Sequence, residues 1–111
     1  MMGRFVYNDT TRAEFEDRTL AHLQAVIGAK LRRGEPFYFT WRSDSVGESS
    51  RIAIWIHPGA DLIFKYYGSK TPPLSKPWID ALTYTANSAN GLHIVPEPDQ
   101  RAVDDALRRT P

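Results

Sequence analysis

The sequence predicts an α+β domain: a single, mostly antiparallel sheet with two helices packed on one face. Three observations carry this. The stretch Pro36–Gly68 alternates apolar and polar residues with period two, the signature of strands with one buried face. Two other stretches carry one apolar stripe each at helical spacing. The elements follow the order β-β-α-β-β-β-α-β, and the simplest packing lays both helices on one side of one sheet.

The elements can be justified in turn. Gly3–Tyr7 (GRFVY) reads as a short strand. Asn8-Asp9-Thr10-Thr11 supply turn chemistry, and Arg12–Phe15 then completes a hairpin. Asp17 has the chemistry of a helix cap. Leu20, Leu23, Ile27 and Leu31, with Val26 beside them, form the buried stripe of a helix to about Arg33. Gly34 ends it, and Lys30, Arg32 and Arg33 sit where cations suit the negative end of the helix dipole.

Three strands are expected next: PFYFTWR (36–42), RIAIWIH (51–57) and DLIFKYY (61–67). The polar run Ser43–Ser50 reads as a hairpin loop, and His57-Pro58-Gly59-Ala60 as a tight turn, so the three would form an antiparallel meander. Gly68–Ser75 is a loop stiffened by Pro72-Pro73. Ser75 caps a second helix with Pro77 in its first turn; Trp78, Ile79, Leu82 and Ala86 give its buried face. Asn87–Gly91 ends it, and Leu92–Val95 is a last strand stopped by Pro96-Glu97-Pro98. The expected domain spans 3–98. In the tail 99–111, Val103, Ala106 and Leu107 have the spacing of a short amphipathic helix.

Composition bounds the function. A chain of 111 residues is one domain, with enough buried surface to fold without staples. It has no cysteine, so disulfides and thiolate metal sites are excluded, and a reducing cytoplasm is the expected location. Seven charged residues among the first twenty do not read as a signal peptide, and no apolar run is long enough to span a membrane. The net charge of +1 hides an asymmetry: Lys30–Lys76 carries eight basic and four acidic residues, which favours an anionic partner near the middle of the chain.

The central strands have two faces. Phe37, Phe39, Trp41, Ile52, Ile54, Ile56, Leu62, Phe64 and Tyr66 form a core face. The other collects Tyr38, Arg42, Arg51, Trp55, His57, Lys65 and Tyr67, with Lys70 just beyond, and it is the candidate binding face. Large aromatics are enriched at interfaces between proteins, so one reading is a homodimer or a protein partner. Aromatic platforms among cations also hold single-stranded nucleic acid, by stacking bases and meeting phosphates. The third reading is an ordinary wet surface on which arginine stems lie over rings.

Catalytic signatures are missing. There is no GxSxG elbow and no P-loop, and His22, His57 and His93 have no metal-ligand spacing. His57 with Asp61 reads as a turn hydrogen bond, with a ligand or acid–base pair as the rival. No catalytic residue, metal or cofactor is expected.

Several strings carry a family resemblance: Glu16-Asp17-Arg18-Thr19-Leu20-Ala21-His22-Leu23, Lys30-Leu31-Arg32-Arg33, Glu35-Pro36-Phe37, Trp55-Ile56-His57-Pro58 and Pro96-Glu97-Pro98. Together they resemble a small actinobacterial family, a domain of unknown function of about this length, whose members often carry the label "ATP-dependent DNA ligase". The resemblance covers Gly3 to Pro98. Ligase chemistry needs a K-x-D-G pattern around the adenylated lysine. Lys65-Tyr66-Tyr67-Gly68 lacks the aspartate, and the chain is too short for a complete ligase. The resemblance therefore implies at most a ligase-associated nucleic-acid role or a degenerate nucleotide-binding fragment. The leading expectation is a non-enzymatic interaction module.

Overall fold

The computed structural model describes residues 1–45 and 48–98. The elements are β1 (Met2–Tyr7), β2 (Thr11–Glu16), α1 (Asp17–Arg32), β3 (Phe37–Ser45), β4 (Glu48–Ile56), β5 (Leu62–Lys65) and α2 (Lys76–Ala86). The class is α+β. The strands form two antiparallel sheets rather than the expected one: β2-β1-β5 and the ribbon β3-β4. The expected tail helix from Asp99 lies outside the described residues.

The N-terminal hairpin forms as its turn chemistry predicts. Asn8 and Asp9 both take positive φ, which Asn and Asp tolerate best after glycine. The Asn8 side chain also accepts the Asp61 amide at 2.8 Å, which ties this turn to the start of β5.

The meander does not form. β5 pairs with β1, Phe5 opposite Phe64, and not with β4. Period-two alternation says which face a residue occupies but not which strand lies beside it. Pairing β5 with β1 lets the inner faces of the two sheets meet. Phe5, fully buried, stands edge-on to Phe39 and Trp41 at 5.6 and 6.2 Å between ring centroids. Burying a side chain of this size is worth about 1.5–3 kcal/mol.

The β3–β4 ladder is also longer than expected. Ser43 pairs with Ser50, and the pairing continues to Ser45 opposite Glu48, so most of the predicted loop is strand. Ladder hydrogen bonds need no apolar side chains, and alternation marks only the part of a ribbon that has a core beneath it.

The helices do not share one sheet face. α1 packs on β1 and β2, whereas α2 packs on α1 and β3. Asp17 lies in the first turn of α1 instead of capping it; Glu16 is the capping position and makes no side-chain bond there. The Asp17 carboxylate is buried and accepts the Gly68 amide at 2.8 Å. A Cβ on Gly3 or on Gly68 would lie within 2.8 Å of its oxygens, so only glycine lets β1 and the post-β5 loop close on it. At the other end Lys30 donates to Asn87 and Glu35, joining the C-terminal ends of both helices. Ser75 caps α2 as predicted, its hydroxyl accepting from the Trp78 amide. Buried His22 holds that cap in place. Its Nε2 accepts the Ser75 amide at 2.7 Å, so its Nδ1 carries the proton donated to the Arg18 carbonyl.

The stretch after α2 is not a strand. It makes a single parallel bridge, Leu92 beside Phe39. Gly91 creates it: φ is +81°, and a Cβ there would collide with the Tyr38 carbonyl. Arg18 ties down the remainder. Its Nε and Nη2 donate to the two Glu97 oxygens at 2.6 and 2.9 Å, and Nη1 donates to the Pro73 carbonyl at 2.7 Å.

Two outcomes follow. Gly91→Ala combines a left-handed backbone penalty with a collision, so it should cost about 2–4 kcal/mol. Thermal unfolding should then begin roughly 10 °C or more lower; an unchanged transition would show that the 91–92 approach is dispensable. Hydrogen bonding to Arg18 holds the Glu97 carboxyl below its ordinary range, with attraction to the guanidinium adding to it. A depressed folded-state value means stability that is present above the ordinary carboxylate range and lost as pH falls through the depressed one. Followed by NMR, the Glu97 titration midpoint should move up in Arg18→Gln; an unmoved midpoint would remove this account of the clamp.

Candidate functional site

The outward face of the β3–β4 ribbon is built from three rungs. Tyr38 is directly opposite Trp55, Thr40 opposite Ala53, and Arg42 opposite Arg51. The inward residues between them, Phe37, Phe39, Trp41 and Ile56, are buried, so the alternation is real and the outward set is held by the core. Tyr38 and Trp55 remain 49% and 45% exposed, which is high for paired large aromatics. Their rings meet edge to face, 4.9 Å apart at 64°. Such a contact lowers the energy of the pair by about 0.5–1.5 kcal/mol beyond its area.

Arg42 and Arg51 face each other across the ribbon, and like charges directly opposite destabilise a sheet. Two guanidinium groups on one face suit an anion or a π face.

The chain after α2 turns this face into a groove. Leu92 donates its amide to the Tyr38 carbonyl at 2.8 Å and accepts the Thr40 amide at 2.9 Å. This sets Asn90, His93 and Ile94 along the outer side of β3, opposite Tyr38, Arg42 and Arg51, around a groove of about 740 Å³. The buried Thr85 hydroxyl accepts the His93 amide and so fixes the rim to α2. Sequence reading missed this rim: Asn90-Gly91 signals a turn, but nothing local says that the residues after it run along β3.

The same two bonds fix the direction of every backbone group in the ribbon. Tyr38 and Thr40 point their N–H and C=O groups at Leu92, away from β4. Phe37, Phe39 and Trp41 therefore point at β4 and exchange bonds with Ile56, Ile54 and Ile52. It follows that Arg51, Ala53 and Trp55 point theirs outward, off the far edge of β4. The Tyr7 hydroxyl donates to the Trp55 carbonyl at 2.6 Å, which agrees with this direction. No other described strand pairs with that edge.

The eight expected binding residues are thus divided. Tyr38, Arg42, Arg51 and Trp55 share one face. Lys65 and Tyr67 belong with the other sheet, because β5 pairs with β1; Lys65 lies opposite Arg4, with its Nζ 5.4 Å from the Tyr67 ring. Lys70 is in the loop after β5. His57 is in the β4–β5 turn, where Nδ1 accepts the Gly59 amide at 3.1 Å; this is the turn bond rather than a bond to Asp61.

Lys70 lines a second cleft of about 570 Å³ between α1 and β5, with Gln24, Leu31, Phe64 and Tyr66. Tyr66 donates to the Gln24 side chain at 2.7 Å, and burial, aided by the Asp17 carboxylate, pushes its hydroxyl up to about 12. The walls of this cleft are mainly apolar.

Among the described residues no three His, Asp or Glu side chains are grouped to hold a metal ion, and no helix is long and apolar enough to cross a membrane. Lys65 is an exposed strand end rather than the floor of a nucleotide pocket. The arrangement can stack, attract anions and extend a sheet.

No curated protein and no solved structure matches the chain. One family model does, over residues 2–97, and on that match the chain belongs to the family described as Domain of unknown function (DUF7882).

Proposed function

We propose that the protein is a non-enzymatic interaction module that self-associates through the Tyr38/Trp55 face of the β3–β4 ribbon. The observation that carries this is the exposed Tyr38–Trp55 pair beside the facing Arg42 and Arg51. Tyr, Trp and Arg are the residues in which binding energy between proteins concentrates. The groove beside them is bordered by Asn90, His93 and Ile94. Single-stranded nucleic acid is the second reading, favoured by the facing arginines. The edge-to-face contact counts against it: bases stack on open ring faces, and here one ring's edge covers the other's face. Separating Lys65 and Tyr67 from this face also removes one cation and one platform from that reading.

Light scattering across a concentration series should give a dimer mass. Trp55→Glu, which buries a charge in any contact made there, should weaken association by about 30-fold or more, as expected for a hot-spot aromatic. A strict monomer at all concentrations would sink the reading. In that case, quenching of Trp55 by short single strands at low salt would establish the second. Its affinity should fall by about 0.7 log units per log salt for each phosphate contacted.

A further inference from the structure

We infer that the partner on this face is a second copy of the chain, joined edge to edge through β4 in an antiparallel register centred on Ala53. The inference rests on the self-association reading above and names its geometry.

Among the described strands, three unpaired edges compete for such a role. β2 (TRAEFE) is guarded by Arg12, Glu14 and Glu16, and charge along an edge is the usual defence against pairing. β5 has only four residues. The β4 edge is nine residues long, and its Arg51–Ile56 half, RIAIWI, has one charge and no proline. It is the edge that sheet physics marks as sticky.

The register follows from which groups are unpaired. Arg51, Ala53 and Trp55 point their backbone groups off the edge, as derived above. A two-fold axis through Ala53 is the symmetric arrangement that pairs these three positions with one another. Ala53 then meets Ala53 of the second copy, and Arg51 meets Trp55 in both directions. The Trp55 carbonyl keeps a lone pair for this beyond the one used by Tyr7.

Side chains fit the same register. On the outer face each Arg51 comes to lie against a Trp55 ring, a cation–π pair, and its charge is directed away from Arg42. The small Ala53 pair at the centre leaves room for both. On the inner face Ile52 and Ile54, only partly buried in one copy, are brought opposite each other. A shift by one residue would turn Arg51 and Trp55 to opposite sides and lose both contacts.

The chain has no cysteine, so single introduced thiols report the register. In Ala53→Cys the two Cα atoms should be about 5.5 Å apart, within disulfide range. In Arg51→Cys or Trp55→Cys they should be about 14 Å apart, four residues along the strands and one strand spacing across. Mild oxidation should therefore link Ala53→Cys at least about tenfold faster than either of the others, since only it meets the distance limit. Ala53→Pro should retain the fold, because that amide does not bond to β3, and should lose the dimer mass. A wild-type dimer in which Arg51→Cys, Trp55→Cys or Tyr38→Cys links fastest would overturn the register while leaving self-association standing. A wild-type monomer would overturn both.

Discussion

The structure depends on one constraint: β1 pairs on both sides. Its partners are β2, through a short hairpin, and β5, through a pairing that spans half the chain. This places Phe5 and Phe64 on one inner face and presses them against Phe39 and Trp41 of the ribbon. Loop closure over that span costs little more than over a short one, because the entropy grows only with the logarithm of length. Burying several aromatic rings outweighs it. Once β1 holds β5, β4 keeps a single neighbour among the described strands. The open edge that carries Arg51, Ala53 and Trp55 is thus a by-product of the core.

Polar contacts then hold the non-strand segments in place. Asp17, closed in by Gly3 and Gly68, secures the loop after β5 against the start of α1. Arg18, one residue on, secures Pro73 and Glu97. His22, a turn further, holds the start of α2. The first two turns of α1 therefore organise two loops and a helix. At the far end of α2, Thr85 and Gly91 bring Leu92 to β3 and shape the groove. The β3 side of the candidate face is thus anchored in buried structure, whereas the β4 side ends in an unpaired edge.

Much of this was legible in the sequence. The period-two pattern assigned Tyr38, Arg42, Arg51 and Trp55 to one face and Phe37, Phe39 and Trp41 to the other, and their exposures agree. Both helices and the Ser75 cap followed from stripe and cap chemistry. Strand neighbours were not legible. The short turn after His57 argues for a β4–β5 hairpin, and nothing local in DLIFKYY says that its Phe64 belongs beside Phe5. The Arg18–Glu97 clamp joins residues 79 positions apart, and no spacing rule reaches that far. LHIV has strand composition but forms one bridge, because Gly91 brings Leu92 alone against β3.

Amide hydrogen exchange on dilute protein tests the open β4 edge most directly. The ribbon geometry predicts an alternation. Amides of Ile52, Ile54 and Ile56, bonded to β3, should exchange slowly, whereas those of Arg51, Ala53 and Trp55 should exchange fast and become protected as concentration rises. Equal protection of all six amides at the lowest concentration would contradict it, because another part of the same chain would then be covering the edge.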